Sequence, residues 1–145
     1  QRATVNIIDH QHDLALLTLE DAAGMPMNDQ AIQGDYSAGL QLAMDYPGTG
    51  TSVAWAGYPL GVQLLNTIQS PTYAEGVVGI SKRDGLLRKD IQISGVVIGG
   101  YSGSPVVNKD TGEVIGVVSN GPQNSGIFMA VSWEHLVAFS QLSIS

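Results

Sequence analysis

A chain of 145 residues that is 43% hydrophobic can bury a core as one domain or as part of one. Eighteen glycines, six prolines and only 13% charged residues fit many short strands joined by tight turns and argue against a helical bundle. The net charge of -7, with no basic cluster, argues against nucleic acid and membrane surfaces as partners. The lack of cysteine removes disulfides, thiolate nucleophiles and Cys-held metals. No segment is apolar for long enough to span a membrane. The chain opens on Gln1-Arg2 without Met, which fits removal of an upstream region.

In chain order, Ala3 to Ile8 and Leu14 to Leu19 read as two short strands flanking Asp9-His10-Gln11-His12-Asp13. From Glu20 to Thr51 the composition shifts to Asp, Gly, Pro, Met, Gln and Ser. This is expected to be a long connection, with one short strand at Leu40 to Met44. Strand-like runs follow at 52–57, 63–70, 75–82, 89–98, 104–108, 114–119 and 126–131. Turn signals such as Arg83-Asp84-Gly85, Asp110-Thr111-Gly112 and Asn120-Gly121-Pro122 separate them. Ser132 can N-cap a helix over Trp133–Gln141, with Trp133, Leu136 and Val137 on one face. The expected fold is all-β, a barrel closed by a terminal helix.

The segment Gly99-Gly100-Tyr101-Ser102-Gly103-Ser104-Pro105 lies between two apolar runs. It holds a serine on a tight turn whose backbone N–H groups can face whatever the hydroxyl attacks. A serine hydroxyl is a weak nucleophile at neutral pH. It needs a base, a group that orients the base, and donors for the oxyanion. Ser102 fits the first requirement, and the N–H groups of Gly100 and Ser102 fit the last. A side chain at position 100 would crowd an approaching carbonyl. Asp13, at the mouth of the apolar run Asp13-Leu14-Ala15-Leu16-Leu17, is the candidate orienting carboxylate.

These segments, with Gly57-Tyr58-Pro59-Leu60-Gly61 and Gly112-Glu113-Val114-Ile115-Gly116-Val117-Val118-Ser119, stand in the order found in trypsin-like serine proteases. The chain most resembles their disulfide-free bacterial, HtrA-like branch. The resemblance runs from Asp13 through most of the chain. It implies a trypsin-like double β-barrel, with residues 1–35 closing the N-terminal barrel and residues 36–145 forming the C-terminal barrel and helix. It further implies Ser102 as nucleophile and Asp13 as triad aspartate. Ser119, Asn120 and Gly121 would line the cleft and pair with a peptide substrate. Val96 falls at the base of the primary pocket, and Gly121 and Gly126 fall at its walls. Such a pocket favours an uncharged, apolar side chain, because a basic one needs a buried carboxylate.

One departure stands out. In that family the histidine base precedes the aspartate by a long stretch, and only twelve residues precede Asp13 here. On an extended strand His12 points away from Asp13, and His10 sits several ångströms along it. His135 falls on the terminal helix, which is expected to pack away from the cleft. The base is therefore expected from an N-terminal segment of the same protease, upstream of this sequence, without which this piece is inactive. No cofactor is expected, since triad chemistry requires none.

Rival readings weigh less. A Gly-x-Ser-Gly turn is often structural. An α/β-hydrolase elbow needs Gly-x-Ser-x-Gly before a helix, and here Ser104-Pro105 and two valines follow. Two histidines two apart suggest a metal, yet a third strong ligand is lacking, and a solvated turn is the simpler reading. Tyr58-Pro59 reads as a packing turn, His135 as a polar-face helix residue and Trp133 as a core anchor. Tyr101 fits either a place beneath the loop or one in the cleft. The second function is a catalytically inactive module that grips an extended peptide by strand addition.

Overall fold

The computed structural model of the chain describes residues 2–20, 23, 39–59, 71–96, 99–122 and 125–142. Eight strands and one helix follow in order: β1 Arg2–Asp9, β2 Leu14–Glu20, β3 Ser52–Gly57, β4 Thr72–Asp84, β5 Lys89–Ser94, β6 Pro105–Asn108, β7 Val114–Asn120, β8 Ile127–Ser132 and α1 Trp133–Gln141. Strands β3 to β8 close a barrel in the order β3-β4-β5-β8-β7-β6, every neighbour antiparallel. Strands β1 and β2 form a separate two-stranded ribbon. The fold is thus all-β: one complete six-stranded barrel, a separate two-stranded sheet and a terminal helix.

Alternation explains the barrel. Val53, Trp55, Val78, Ile91, Ile93, Val106, Ile115, Val118, Phe128 and Ala130 point inward and form one buried cluster. Phe128 is fully buried and meets Trp55 edge to face, ring centroids 4.9 Å apart. Truncating it leaves a ring-sized void. Phe128→Ala is expected to destabilise the chain by about 3–5 kcal/mol, read as a lowered urea midpoint with an unchanged m-value.

The helix begins where Ser132 accepts the Glu134 N–H in its side-chain oxygen. Its inner face differs from the expected one. Trp133 packs on the barrel core and Leu136 on a second cluster of Leu14, Val131 and Phe139. Phe139, not Val137, is the helix residue that is buried. This second cluster, which also takes Ile7 and Leu16, fastens the ribbon to the barrel.

Three expected strand limits differ. Residues 40–44 make only an isolated bridge, Leu42 beside Val114, because Asp45-Tyr46-Pro47 turns the chain away at once. Strand β5 stops at Ser94 instead of running to Ile98. Gly95 there turns to donate its N–H to Gly126 O, and a Cβ on it would strike the Trp55 ring. Strand β4 is longer than expected, since both its ends pair with β3 and β5. The expected strand at 63–70 lies outside the described residues.

Candidate active site

The segment between β5 and β6 carries Ser102, and tight packing holds it. The Tyr58 N–H donates to Gly100 O at 3.2 Å, and the Ser104 N–H to Tyr101 O at 2.9 Å. The Gly103 N–H donates to Val118 O, and the Val118 N–H returns a bond to Ser104 O, both at 2.9 Å. Tyr101 settles beneath the loop: it is 5% exposed and meets Trp55 edge-on. Gly100 takes φ +106°, a backbone conformation that suits glycine. Gly57 is equally constrained, for a Cβ there would lie 2.7 Å from Ser104 Oγ and 2.9 Å from Gly100 O. The Gly57-Tyr58 pair therefore props the serine loop from behind. Among the described residues, the N–H groups of Gly100 and Ser102 meet no acceptor.

Asp13 closes the turn between β1 and β2 with φ +55°, a left-handed conformation that Asp tolerates better than most residues. Its Oδ2 accepts the Ser119 Oγ–H at 2.7 Å. Ser119 also offers its carbonyl to Ser102 Oγ at 3.4 Å, a long contact. One residue of β7 thus touches both the nucleophile candidate and the carboxylate candidate. The expected part for Ser119 was backbone pairing with substrate. Its side-chain bond to Asp13, across 106 positions of sequence, had no local signal.

Asp13, Ser102, Gly103 and His10 share the wall of an open cleft of about 910 Å³ between the ribbon and the barrel. Asn120 ends β7, with Arg88 Nη2 at 3.5 Å from its Oδ1. Gly121 lies so close to β8 that a Cβ would come within 2.7 Å of Ile127 O and Phe128 Cα. Gly126 takes φ +73° and accepts the Gly95 N–H at 2.8 Å, so the segments carrying Val96 and Gly126 run side by side. Val96 is 70% exposed.

No imidazole among the described residues bonds to Ser102 or Asp13. His12 Nδ1 bonds instead to Asp9 Oδ2 at 2.6 Å, and its ring stacks on His135 with centroids 4.1 Å apart. The Asp9 carboxyl is held below its usual range, chiefly by that bond. His10 to Asp13 is a turn, so the two histidines do not share a strand face, and His12 is engaged where a solvated side chain was expected. Nor is His135 a plain polar-face residue, for its Nε2 accepts the Lys89 N–H at 2.7 Å.

Residues 1–117 match the family model of the trypsin-like peptidase domain. No curated protein matches the chain significantly. Among solved structures, the active form of the Rv3671c protease from M. tuberculosis superposes with a TM-score of 0.69 at 21% identity, covering 94% of this chain and 56% of that one. An inactive form of Rv3671c gives 0.67 at 21%, covering 94% and 64%. A serine-to-alanine mutant of the M. tuberculosis protein, also inactive, gives 0.68 at 20%, covering 99% and 66%. The chain therefore spans less than two thirds of the length of these structures.

Proposed function

This chain belongs to the trypsin-like peptidase family, and on that premise we propose that it is the Ser102-bearing part of a serine endopeptidase acting by acyl transfer. Ser102 Oγ attacks the scissile carbonyl carbon while an imidazole takes its proton. Asp13 orients that imidazole, and the Gly100 and Ser102 N–H groups receive the oxyanion. The C–N bond then breaks as the imidazole returns the proton to the leaving amine. Water, activated by the same imidazole, hydrolyses the acyl-enzyme. The substrate backbone pairs along Ser119-Asn120-Gly121. The pocket between Val96, Gly121 and Gly126 takes an uncharged, apolar side chain.

The single observation that carries this reading is the double contact of Ser119, with Ser102 on one side and Asp13 on the other. The histidine comes from an N-terminal segment of the same protease, as part of the domain that residues 1–35 begin to close. The ribbon supports this. Val5, Ile8 and Leu17 are each more than half exposed, and the pairs Ala3–Leu19, Val5–Leu17 and Ile8–Ala15 lie on one face. A two-stranded ribbon with a bare apolar face is marginal alone and calls for further strands. A second reading, an inactive module binding extended peptides, is favoured by one fact: no described imidazole meets Ser102.

Labelling with a fluorophosphonate probe separates the two. Given the upstream segment, Ser102 is expected to form an adduct; this chain alone is expected to stay unlabelled. No adduct in either state would overturn the enzyme reading in favour of the binding module.

A further inference from the structure

The turn that presents Asp13 is anchored at only a few places. The Gln11 side chain donates to Leu87 O at 3.0 Å, and Asp9 bonds the His12 backbone N–H at 3.1 Å as well as the ring. The remaining anchors are the Ser119 hydroxyl on Asp13 Oδ2 and the stack of His12 on His135, which joins residues 123 positions apart. We propose that His135 is a positioning residue for Asp13, holding the turn through the His12 ring only while its own ring is neutral. The part given to Asp13 rests on the protease reading above; the link between the two histidines and the turn does not.

The geometry fixes the protonation state. His135 Nε2 accepts the Lys89 N–H, so it carries no proton, and the ring hydrogen sits on Nδ1. His12 faces the Asp9 carboxylate and donates from Nδ1. Protonating His135 therefore does two things. It sets an N–H against the Lys89 N–H, and it adds a positive charge against the His12 ring.

Two carboxylates lie nearby: Glu134, next on the helix, bonds Lys89 Nζ at 2.8 Å, and Asp90 of β5 forms an ion pair with Arg88 Nε at 2.9 Å. Burial, then the His12 charge, pushes the His135 pKa down from 6.5, against the weaker pull of Glu134 and Asp90. The unfolded chain thus binds this proton at higher pH than the folded one. Stability is full above about pH 6.5 and is lost as pH falls through the lower, folded value. Because His12 directly precedes Asp13, loosening the stack shifts the carboxylate against Ser119.

The test follows the Asp13 carboxyl carbon by NMR from pH 7.5 to pH 5, alongside the His135 ring resonances and the melting temperature. In the unaltered chain the Asp13 signal is expected to move with the His135 midpoint, and Tm to fall over the same pH range. His135→Gln keeps an acceptor for the Lys89 N–H but cannot titrate, so both changes should vanish. His12→Phe keeps a ring on His135 without its charge, and the His135 midpoint should rise. It serves alone if the glutamine variant does not fold. An Asp13 signal that stays still while His135 titrates would overturn the proposal, as would a step that persists in His135→Gln or an unmoved midpoint in His12→Phe. Failure of the protease reading shows elsewhere, as the missing fluorophosphonate adduct, and leaves these signals untouched.

Discussion

Asp13→Asn is expected to lower kcat/KM about 10⁴-fold in the protein that carries its histidine, with folding almost unchanged. The substitution isolates charge and tautomer from geometry. Position 13 sits at φ +55°, and Asn tolerates the left-handed region as well as Asp does. The Asn Oδ1 can still accept the Ser119 Oγ–H now given to Asp13 Oδ2 at 2.7 Å. What is lost is the negative charge beside the imidazolium that forms during attack. What is gained is an N–H₂ group that prefers the imidazole nitrogen unprotonated on that side, which turns the proton toward Ser102 and disables the base. Matched melting curves with a 10⁴-fold deficit are the expected pair of measurements. A deficit smaller than about tenfold would mean that Asp13 is held by Ser119 for structure alone.

Much of the barrel was legible because turn chemistry and alternation agree in it. Asp110-Thr111-Gly112 falls between β6 and β7, Gly85 follows directly on the end of β4, and Ser132 caps the helix where its hydroxyl predicts. The failures share a cause: pairing partners far away in sequence. The run from Lys89 to Ile98 is apolar enough for a strand throughout, but the Gly95–Gly126 bond ends it early. Residues 40–44 have strand-like composition and almost no strand beside them. Phe139 escaped because spacing from Trp133 selects Val137, whereas the ribbon, through Leu14, selects the face that carries Phe139.

At the cleft, Ser102 and Asp13 were nominated as candidates from local context, and both line its wall. The contact of Ser119 with both, through its hydroxyl and its carbonyl, and the ring that braces the turn were not legible there. Ser119 and His135 carry their meaning through contacts 106 and 123 positions away, which no window of sequence can show.

Gly100→Ala is expected to damage both stability and rate, and Gly103→Ala shows why the two must be compared. Both positions have positive φ, +106° and +88°, so both substitutions strain the backbone by about 1–3 kcal/mol. They differ in space. A Cβ at Gly103 meets nothing within 4 Å. A Cβ at Gly100 would lie 2.6 Å from Tyr58 C and 2.8 Å from Pro59 Cα, backbone atoms that cannot rotate aside. Relief therefore requires the loop to withdraw from Tyr58, breaking the 3.2 Å bond from its N–H to Gly100 O and re-aiming the Gly100 N–H. Loss of one oxyanion donor lowers kcat about 10²–10³-fold. Gly100→Ala should thus unfold at lower urea than Gly103→Ala and show the larger fall in kcat, with KM changing less. Equal losses in the two variants would mean that φ alone governs this loop and that the Tyr58 buttress does not position its donors.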